Sequence, residues 1–196
     1  MDKNKLTELF DSFSRFKVIV IGDAMVDSYL WGKVERISPE APVPIVACSK
    51  QENRLGGAAN VALNIQALGA TPILCSVVGH DLKGDLLRDL LRKNGLTDEG
   101  IFSDPGRPTT VKTRIISDNQ HLLRVDEEST TNLNAEVELS FTNHILSLVN
   151  QHSVNAIVFE DYDKGAITPE LIHRVVELAN NKGIPTLVDP KKRNFA

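Results

Sequence analysis

The sequence is poor in cysteine, in long apolar runs and in excess basic charge, and each shortage excludes a class of protein. Its two cysteines, Cys48 and Cys75, are well separated and match no metal or redox spacing. The apolar run at 17–21 is far too short to span a bilayer, and the first residues lack the apolar region of a signal peptide. We therefore expect a cytoplasmic protein with reduced thiols and no membrane association.

Charge and histidine content exclude two further classes. The chain has 22 basic and 26 acidic residues, a formal net charge of −4, so we expect no nucleic-acid partner. Its five histidines are scattered without a metal-binding spacing, and we assign no metal ligand. What remains is an ordinary globular composition, with 41% hydrophobic residues in a chain of 196 that can bury a sizeable core.

Apolar runs typical of buried strands alternate with segments of helical periodicity. This alternation predicts a three-layer α/β fold of the Rossmann-like kind, a mostly parallel sheet with helices on both faces. Helices are predicted at 6–16, 58–68, 81–93, 135–150 and 168–180, and strands at 17–21, 71–78, 155–159 and 185–188.

Two segments break the alternation, at about 28–50 and 109–126. The first is too rich in proline for a helix, and the second reads as a hairpin with a turn at 117–120. Together they predict a small β lid, apart from the main sheet, that covers a ligand at the carboxyl ends of the core strands. A peripheral β decoration or a dimer contact is the alternative.

The most informative stretch begins at Gly56 and Gly57, which open directly into a helix with Asn60 in its first turn. Glycines let the backbone approach a ligand closely, and free N–H groups at a helix start attract hydroxyls or anions. The chain contains neither a P-loop nor a G-x-G-x-x-G motif. The pattern favours a small polar substrate, and a plain tight helix start is the alternative.

Two acids, Asp23 and Asp27, follow the first strand where the chain leaves the sheet. Ionised carboxylates only accept hydrogen bonds, which suits them to sugar hydroxyls. A turn aspartate and a helix-capping aspartate would explain the same pattern. An aspartyl nucleophile of the phosphatase type is disfavoured because no second acid follows Asp23 closely enough.

The predicted hairpin carries several charges on one face. Lys112 and Arg114 lie two residues apart and project together, and Arg124 and Asp126 do so across the turn. Three converging cations would bind a phosphate monoester. A solvated strand face with cross-strand ion pairs is the alternative interpretation.

Charged loops also follow the strands predicted at 155–159 and 185–188. The first loop contains Asp161 and Lys164, and the second contains Lys191. Because the carboxyl ends of parallel strands share one sheet edge, we expect one crevice shared with Asp23. Turns are commonly rich in Asp, Lys and Gly without any such role.

These motifs together resemble the ribokinase-like, or PfkB, family of carbohydrate kinases, over nearly everything from residue 17 to the end. Within that family the chain is most similar to the kinase domain that phosphorylates D-glycero-β-D-manno-heptose 7-phosphate. The matching segments are LGGAANVALN at 55–64, GDAMVD at 22–27, RISPEAPVP at 36–44, DYDKG at 161–165 and VDPK at 188–191.

The resemblance implies substrate-binding roles for particular residues. Asp27, Gly57 and Asn60 would hold sugar hydroxyls, with Asp23 and Gly56 close by. The hairpin cations would face the sugar from the lid, where their charge suggests a phosphate role. Lys164 and Lys191 would border the crevice beside Asp161.

The resemblance also implies chemistry that these 196 residues do not contain. The family's second signature, of Gly-Ala-Gly-Asp type, holds the general base and is expected beyond Ala196, with most of the ATP and Mg²⁺ site. The chain is therefore expected to be the N-terminal portion of one kinase domain, inactive alone, with a homodimer through the lid as a further implication. The alternatives are a non-catalytic sugar-phosphate-binding module, or a kinase for fructose phosphate, ribose or a nucleoside.

Overall fold

The computed structural model describes residues 3–191, with side chains from residue 5 onward. This part of the chain forms five helices and nine strands. In chain order they are α1 Lys3–Phe13, β1 Lys17–Gly22, β2 Ala24–Ile37, β3 Pro44–Gly57, α2 Ala58–Ala67, β4 Thr71–Gly79, α3 Leu82–Lys93, β5 Ile101–Asp104, β6 Val111–Ser117, β7 Gln120–Glu127, α4 Ala135–Gln151, β8 Ala156–Glu160, α5 Pro169–Lys182 and β9 Thr186–Asp189.

The main sheet has the order β5-β4-β1-β8-β9, and all its pairs are parallel. Successive side chains of β1 point to opposite faces, so Ile19 packs with α4 and α5 while Val20 packs with α2 and α3. Both residues are fully buried. Apolar strands covered on both faces explain the continuous apolar runs and confirm the predicted three-layer α/β fold. None of the helices described is both long and apolar enough to cross a membrane.

A second sheet, β3-β2-β6-β7, stands apart from the first, as the proline-rich and hairpin segments predict. The hairpin turn places Asp118 and Asn119 at positive φ, as a two-residue connection requires. At its base the sheet buries Val26, Leu55 and Val111 against the α2–α3 core. We call this second sheet the lid.

Two details differ from the expectations. The leading helix ends at Phe13, not at residue 16, because the Phe16 carbonyl already accepts a hydrogen bond from Thr71 N at 2.8 Å in the main sheet. Strand β5, Ile101–Asp104, was not predicted, since four residues are too few to show a period.

Asp81 joins helix α3 to the chain that enters the lid. Its carboxylate caps the helix through Lys83 N and Gly84 N, and accepts from Thr109 N at 2.9 Å and Thr109 Oγ1 at 2.7 Å. Burial opposes ionisation, but these hydrogen bonds outweigh it and hold the pKa of Asp81 below its usual value.

We expect Asp81→Ala to lower the free energy of unfolding at pH 7 by about 2–3 kcal/mol, from the lost cap and the unpaired Thr109 groups. A group with a depressed folded-state pKa stabilises above its unfolded pKa and loses this effect as pH falls through the folded value. The deficit should therefore shrink below about pH 4. Urea unfolding at pH 7 and pH 3 would measure it, with exposed Asp85→Ala in the same helical turn as the control. Equal deficits in the two variants would contradict the prediction.

Candidate functional site

Asp23 lies at the carboxyl end of β1, where the chain turns into the lid. Its side chain is buried and accepts hydrogen bonds from Tyr162 N at 3.0 Å, Lys164 N at 3.0 Å and Ala166 N at 3.1 Å. Burial raises the pKa of Asp23, and the charge of Asp161 adds to this, although the three N–H donors act in the opposite direction. In this arrangement Asp23 holds the loop after β8 in place.

Asp27 lies on β2 at the base of the lid and is only partly buried. Arg114 Nη1 on β6 donates to Asp27 Oδ1 at 2.5 Å. A Cβ on Gly56 would lie 2.4 Å from Asp27 Oδ2, so a larger residue there would displace the carboxylate. The glycine therefore makes room for Asp27, and Arg114 fixes its orientation.

Gly57 is the N-cap of helix α2 and has a φ of 58°, which disfavours other residues. A Cβ there would lie 2.3 Å from the Asp23 carbonyl oxygen, which accepts a hydrogen bond from Ala58 N at 3.0 Å. The start of α2 is thus fixed directly beside the end of β1. Asn60 is exposed on the first helical turn.

The lid face carries paired charges. Lys112 Nζ contacts Asp126 at 3.1 Å and Glu128 at 2.7 Å, while Arg124 makes two hydrogen bonds of 2.9 Å to Asp126. Glu128 also accepts from Lys164 Nζ of the core at 2.8 Å. The cross-strand ion pairs foreseen as an alternative are therefore present, and they include the cations predicted to meet phosphate.

The loop after β8 and the end of β9 meet as the shared crevice requires. The Asp161 carboxylate accepts from Asp163 N at 2.7 Å and from Lys191 N at 3.4 Å. Lys191 Nζ lies 5.3 Å from the centre of the Tyr162 ring. Asp161, Lys164 and Lys191 thus border one region.

Three acidic side chains, Glu160, Asp161 and Asp189, lie together at the carboxyl ends of β8 and β9. Burial raises the pKa of Glu160, and the neighbouring charges of Asp189 and Asp161 raise it further against a hydrogen bond with Tyr162. Burial also raises the pKa of the Tyr162 phenol, with Glu160 as the largest charge acting on it. Glu160 and Tyr162 thus interact with each other inside this acidic group.

Two residues with structural contacts here were not identified from the sequence. The buried guanidinium of Arg107 donates to Lys164 O at 3.1 Å and Thr131 O at 2.8 Å, and its Nε lies 3.5 Å from Asp104 Oδ2. Burial lowers the pKa of Arg107. The other residue is Glu128, which joins lid to core. Neither belongs to a motif, and only their partners distinguish them.

Five of the eleven predicted site residues lie along one continuous path of contacts between core and lid, which Glu128 completes. Exposed Asn60 lies outside this path, and mostly exposed Arg124 reaches it only through Asp126. The link inside the lid is the hydrogen bond from Arg114 Nη1 to Lys112 O at 3.3 Å. The path runs through Asp23, Lys164, Glu128, Lys112, Arg114 and Asp27.

Strand β9 forms the edge of the main sheet beside this site. Its Leu187 and Val188 side chains are exposed, although they continue an apolar strand pattern. A groove of about 980 Å³ runs from Asp161 along α5 to Val188. The part of the chain that the structure describes thus leaves this apolar edge uncovered.

A protein-family model described as "pfkB family carbohydrate kinase" matches residues 15–196. Among curated proteins, the chain is 42% identical over its full length to "Bifunctional protein HldE" of Pelobacter propionicus, covering 40% of that protein. It is 43% identical over 180 residues to the protein of the same name from Helicobacter hepaticus, covering 92% of this chain and 37% of that one. The chain thus spans about two fifths of the length of these relatives.

Solved structures show the same fold at low sequence identity. A carbohydrate kinase from Agrobacterium tumefaciens superposes with a TM-score of 0.61 at 17% identity, over 88% of this chain and 53% of that one. The tetrameric inhibited form of phosphofructokinase-2 from Escherichia coli gives a TM-score of 0.62 at 16% identity, over 90% and 55% of the two chains.

Proposed function

The chain belongs to the pfkB family of carbohydrate kinases, and from this premise we propose that it supplies the sugar-binding half of a heptose 7-phosphate kinase. The complete enzyme transfers the γ-phosphoryl group of ATP to the anomeric hydroxyl of D-glycero-β-D-manno-heptose 7-phosphate and releases the 1,7-bisphosphate. The proposal is carried by one observation, the partly exposed Asp27 carboxylate that Arg114 holds beside Gly56, just before α2. The similarity to proteins named HldE, which extends along all 196 residues of this chain, supports the choice of sugar.

In this proposal the chain contributes positioning. Asp27 accepts hydrogen bonds from sugar hydroxyls, Gly57 lets the backbone approach the sugar, and Asn60 contributes a further polar contact. Lys112, Arg114 and Lys164 bind the 7-phosphate. Correct placement of the attacking hydroxyl is a large part of catalysis in phosphoryl transfer, since little covalent chemistry falls to the protein.

We propose ATP as donor and Mg²⁺ as its counter-ion, which neutralises charge on the transferred phosphoryl group when bound. Over residues 3–191, no group of three or more His, Cys, Asp or Glu side chains is arranged to hold a metal ion. We assign no ATP ligand, Mg²⁺ ligand or general base to residues of this chain, since the motifs on which the proposal rests concern the sugar.

We further propose a cytoplasmic enzyme that forms a homodimer through the lid. Strand β7 is an edge of the lid, and its Leu123 and Val125 side chains are 56% and 43% exposed. Exposed apolar side chains on an edge strand favour pairing with another surface.

A kinase assay tests the proposed function. We expect a polypeptide extended to the length of the curated relatives to form ADP with ATP, Mg²⁺ and heptose 7-phosphate, and residues 1–196 alone to show no turnover. Fructose phosphate, ribose and nucleosides serve as competing acceptors. No ADP with any phosphosugar would refute the kinase and favour a binding module, and turnover by residues 1–196 alone would refute the placement of ATP chemistry outside them.

A further inference from the structure

Glu128 follows β7, in the segment that returns from the lid to the core. Its two carboxylate oxygens accept from different elements: Oε2 from Lys112 Nζ of the lid at 2.7 Å, and Oε1 from Lys164 Nζ of the core at 2.8 Å. Both lysine side chains are largely buried, with 16% and 15% exposed. One internal carboxylate thus lies between the two ammonium groups.

The cations of this region already have carboxylate partners. Arg114 is paired with Asp27 and Arg124 with Asp126, while Lys112 contacts both Asp126 and Glu128. A phosphate dianion placed among them would meet these carboxylates as well as the cations. A phosphate and a carboxylate about 4 Å apart repel each other by several kcal/mol when they are partly desolvated. At least one carboxylate must therefore withdraw before phosphate can bind.

Glu128 is the carboxylate best placed to withdraw. Asp27 is a β2 residue paired with Arg114, and Asp126 is a β7 residue paired in register with Lys112. Glu128 lies outside the β ladder, its side chain has three rotatable bonds, and it is one-fifth exposed. It can leave without breaking a strand hydrogen bond. Its oxygens contact both lysines at distances typical of charge-assisted hydrogen bonds to a phosphate.

We propose that Glu128 is an internal competitor that occupies the phosphate subsite between Lys112 and Lys164 in the free protein and is displaced by a phosphate monoester. This deepens the proposed function, on which it rests for the identity of the natural substrate. A dianion attracts the two lysines more strongly than the single charge of Glu128 does. An unphosphorylated sugar offers no such charge and leaves Glu128 in place. Only a phosphosugar therefore opens the subsite, and its affinity is reduced by the competition with Glu128.

Titration calorimetry of the 196-residue chain with inorganic phosphate, at one fixed low ionic strength, tests this inference. We expect Glu128→Gln to tighten phosphate binding about tenfold, because a neutral amide competes less well for the lysines. Glu127→Gln is the matched control, since it removes the same charge from the adjacent residue, whose partner is Lys83. It should change the affinity by less than about twofold.

A second variant shows whether the gain belongs to this subsite. Adding Lys112→Gln to Glu128→Gln should abolish the gain. Unchanged or weaker binding by Glu128→Gln, an equal gain in Glu127→Gln, or a gain that survives loss of Lys112 would each overturn the inference. The measurement involves no turnover, so a failed kinase assay beside a tenfold gain would reject the proposed function and leave the phosphate subsite supported.

Discussion

Asp27→Asn is expected to lower kcat/KM for the sugar by about 100-fold or more in the polypeptide extended to the length of the curated relatives. The reason is the loss of about 3 kcal/mol of hydrogen bonding to a charged group. Asparagine keeps the shape beside Gly56 but removes the charge that pairs with Arg114. It also turns one acceptor atom into a donor, which cannot accept a hydrogen bond from a sugar hydroxyl. The KM for ATP should change little, because Asp27 acts on the acceptor.

Steady-state kinetics with each substrate varied in turn would measure this split. Asp118→Asn is the matched control, since Asp118 lies at positive φ in the hairpin turn of the same sheet and asparagine tolerates that conformation. Its kinetics should match those of the wild type. Unchanged sugar kinetics in Asp27→Asn would remove Asp27 from the site, and an equal rise in the KM for ATP would indicate general damage to the fold.

The main fold could be predicted from the sequence because its signals are local. Strand β1 is a continuous apolar run that ends in a glycine and an acid, and α5 opens with Thr168 as cap and a proline in its first turn. Thr168 Oγ1 indeed accepts from Leu171 N at 3.2 Å. The observed end of a helix differs from the predicted one where a contact between distant residues determines it, as the hydrogen bond between Phe16 and Thr71 does for α1.

For the candidate site, the sequence predicts which residues lie near one another better than it predicts which of them form ion pairs. Strand ends and strand alternation bring Asp23, Lys112 and Lys164 to one region, as expected. Which carboxylate pairs with which cation depends on tertiary packing, and Glu128 and Lys164 are 36 positions apart. Sequence patterns report neighbours within a few residues, so the bridging role of Glu128 left no signal.

Asp23 shows the same limit and leads to the largest expected effect on stability. The sequence predicts a place near sugar hydroxyls, and in the structure its oxygens accept hydrogen bonds from three backbone N–H groups of the loop after β8. We propose that it acts as a positioning residue. Asp23→Ala should lower the free energy of unfolding by about 3–5 kcal/mol, because it leaves three donors in a largely buried region without a partner.

Chemical unfolding would measure this loss, with Asp89→Ala as a control at an exposed position on α3 that should cost less than about 0.5 kcal/mol. The loss in Asp23→Asn should lie between those of Asp23→Ala and Asp89→Ala, since its single carbonyl oxygen can accept hydrogen bonds from only part of the loop. Native-state amide exchange then separates positioning from packing. If Asp23 holds the loop, the amides of Tyr162, Lys164 and Ala166 should exchange faster in Asp23→Asn, beyond the change in global stability. Exchange that follows global stability alone would mean that Asp23 only fills space, and the loop that carries Lys164 would be fixed by Arg107 and Glu128 instead.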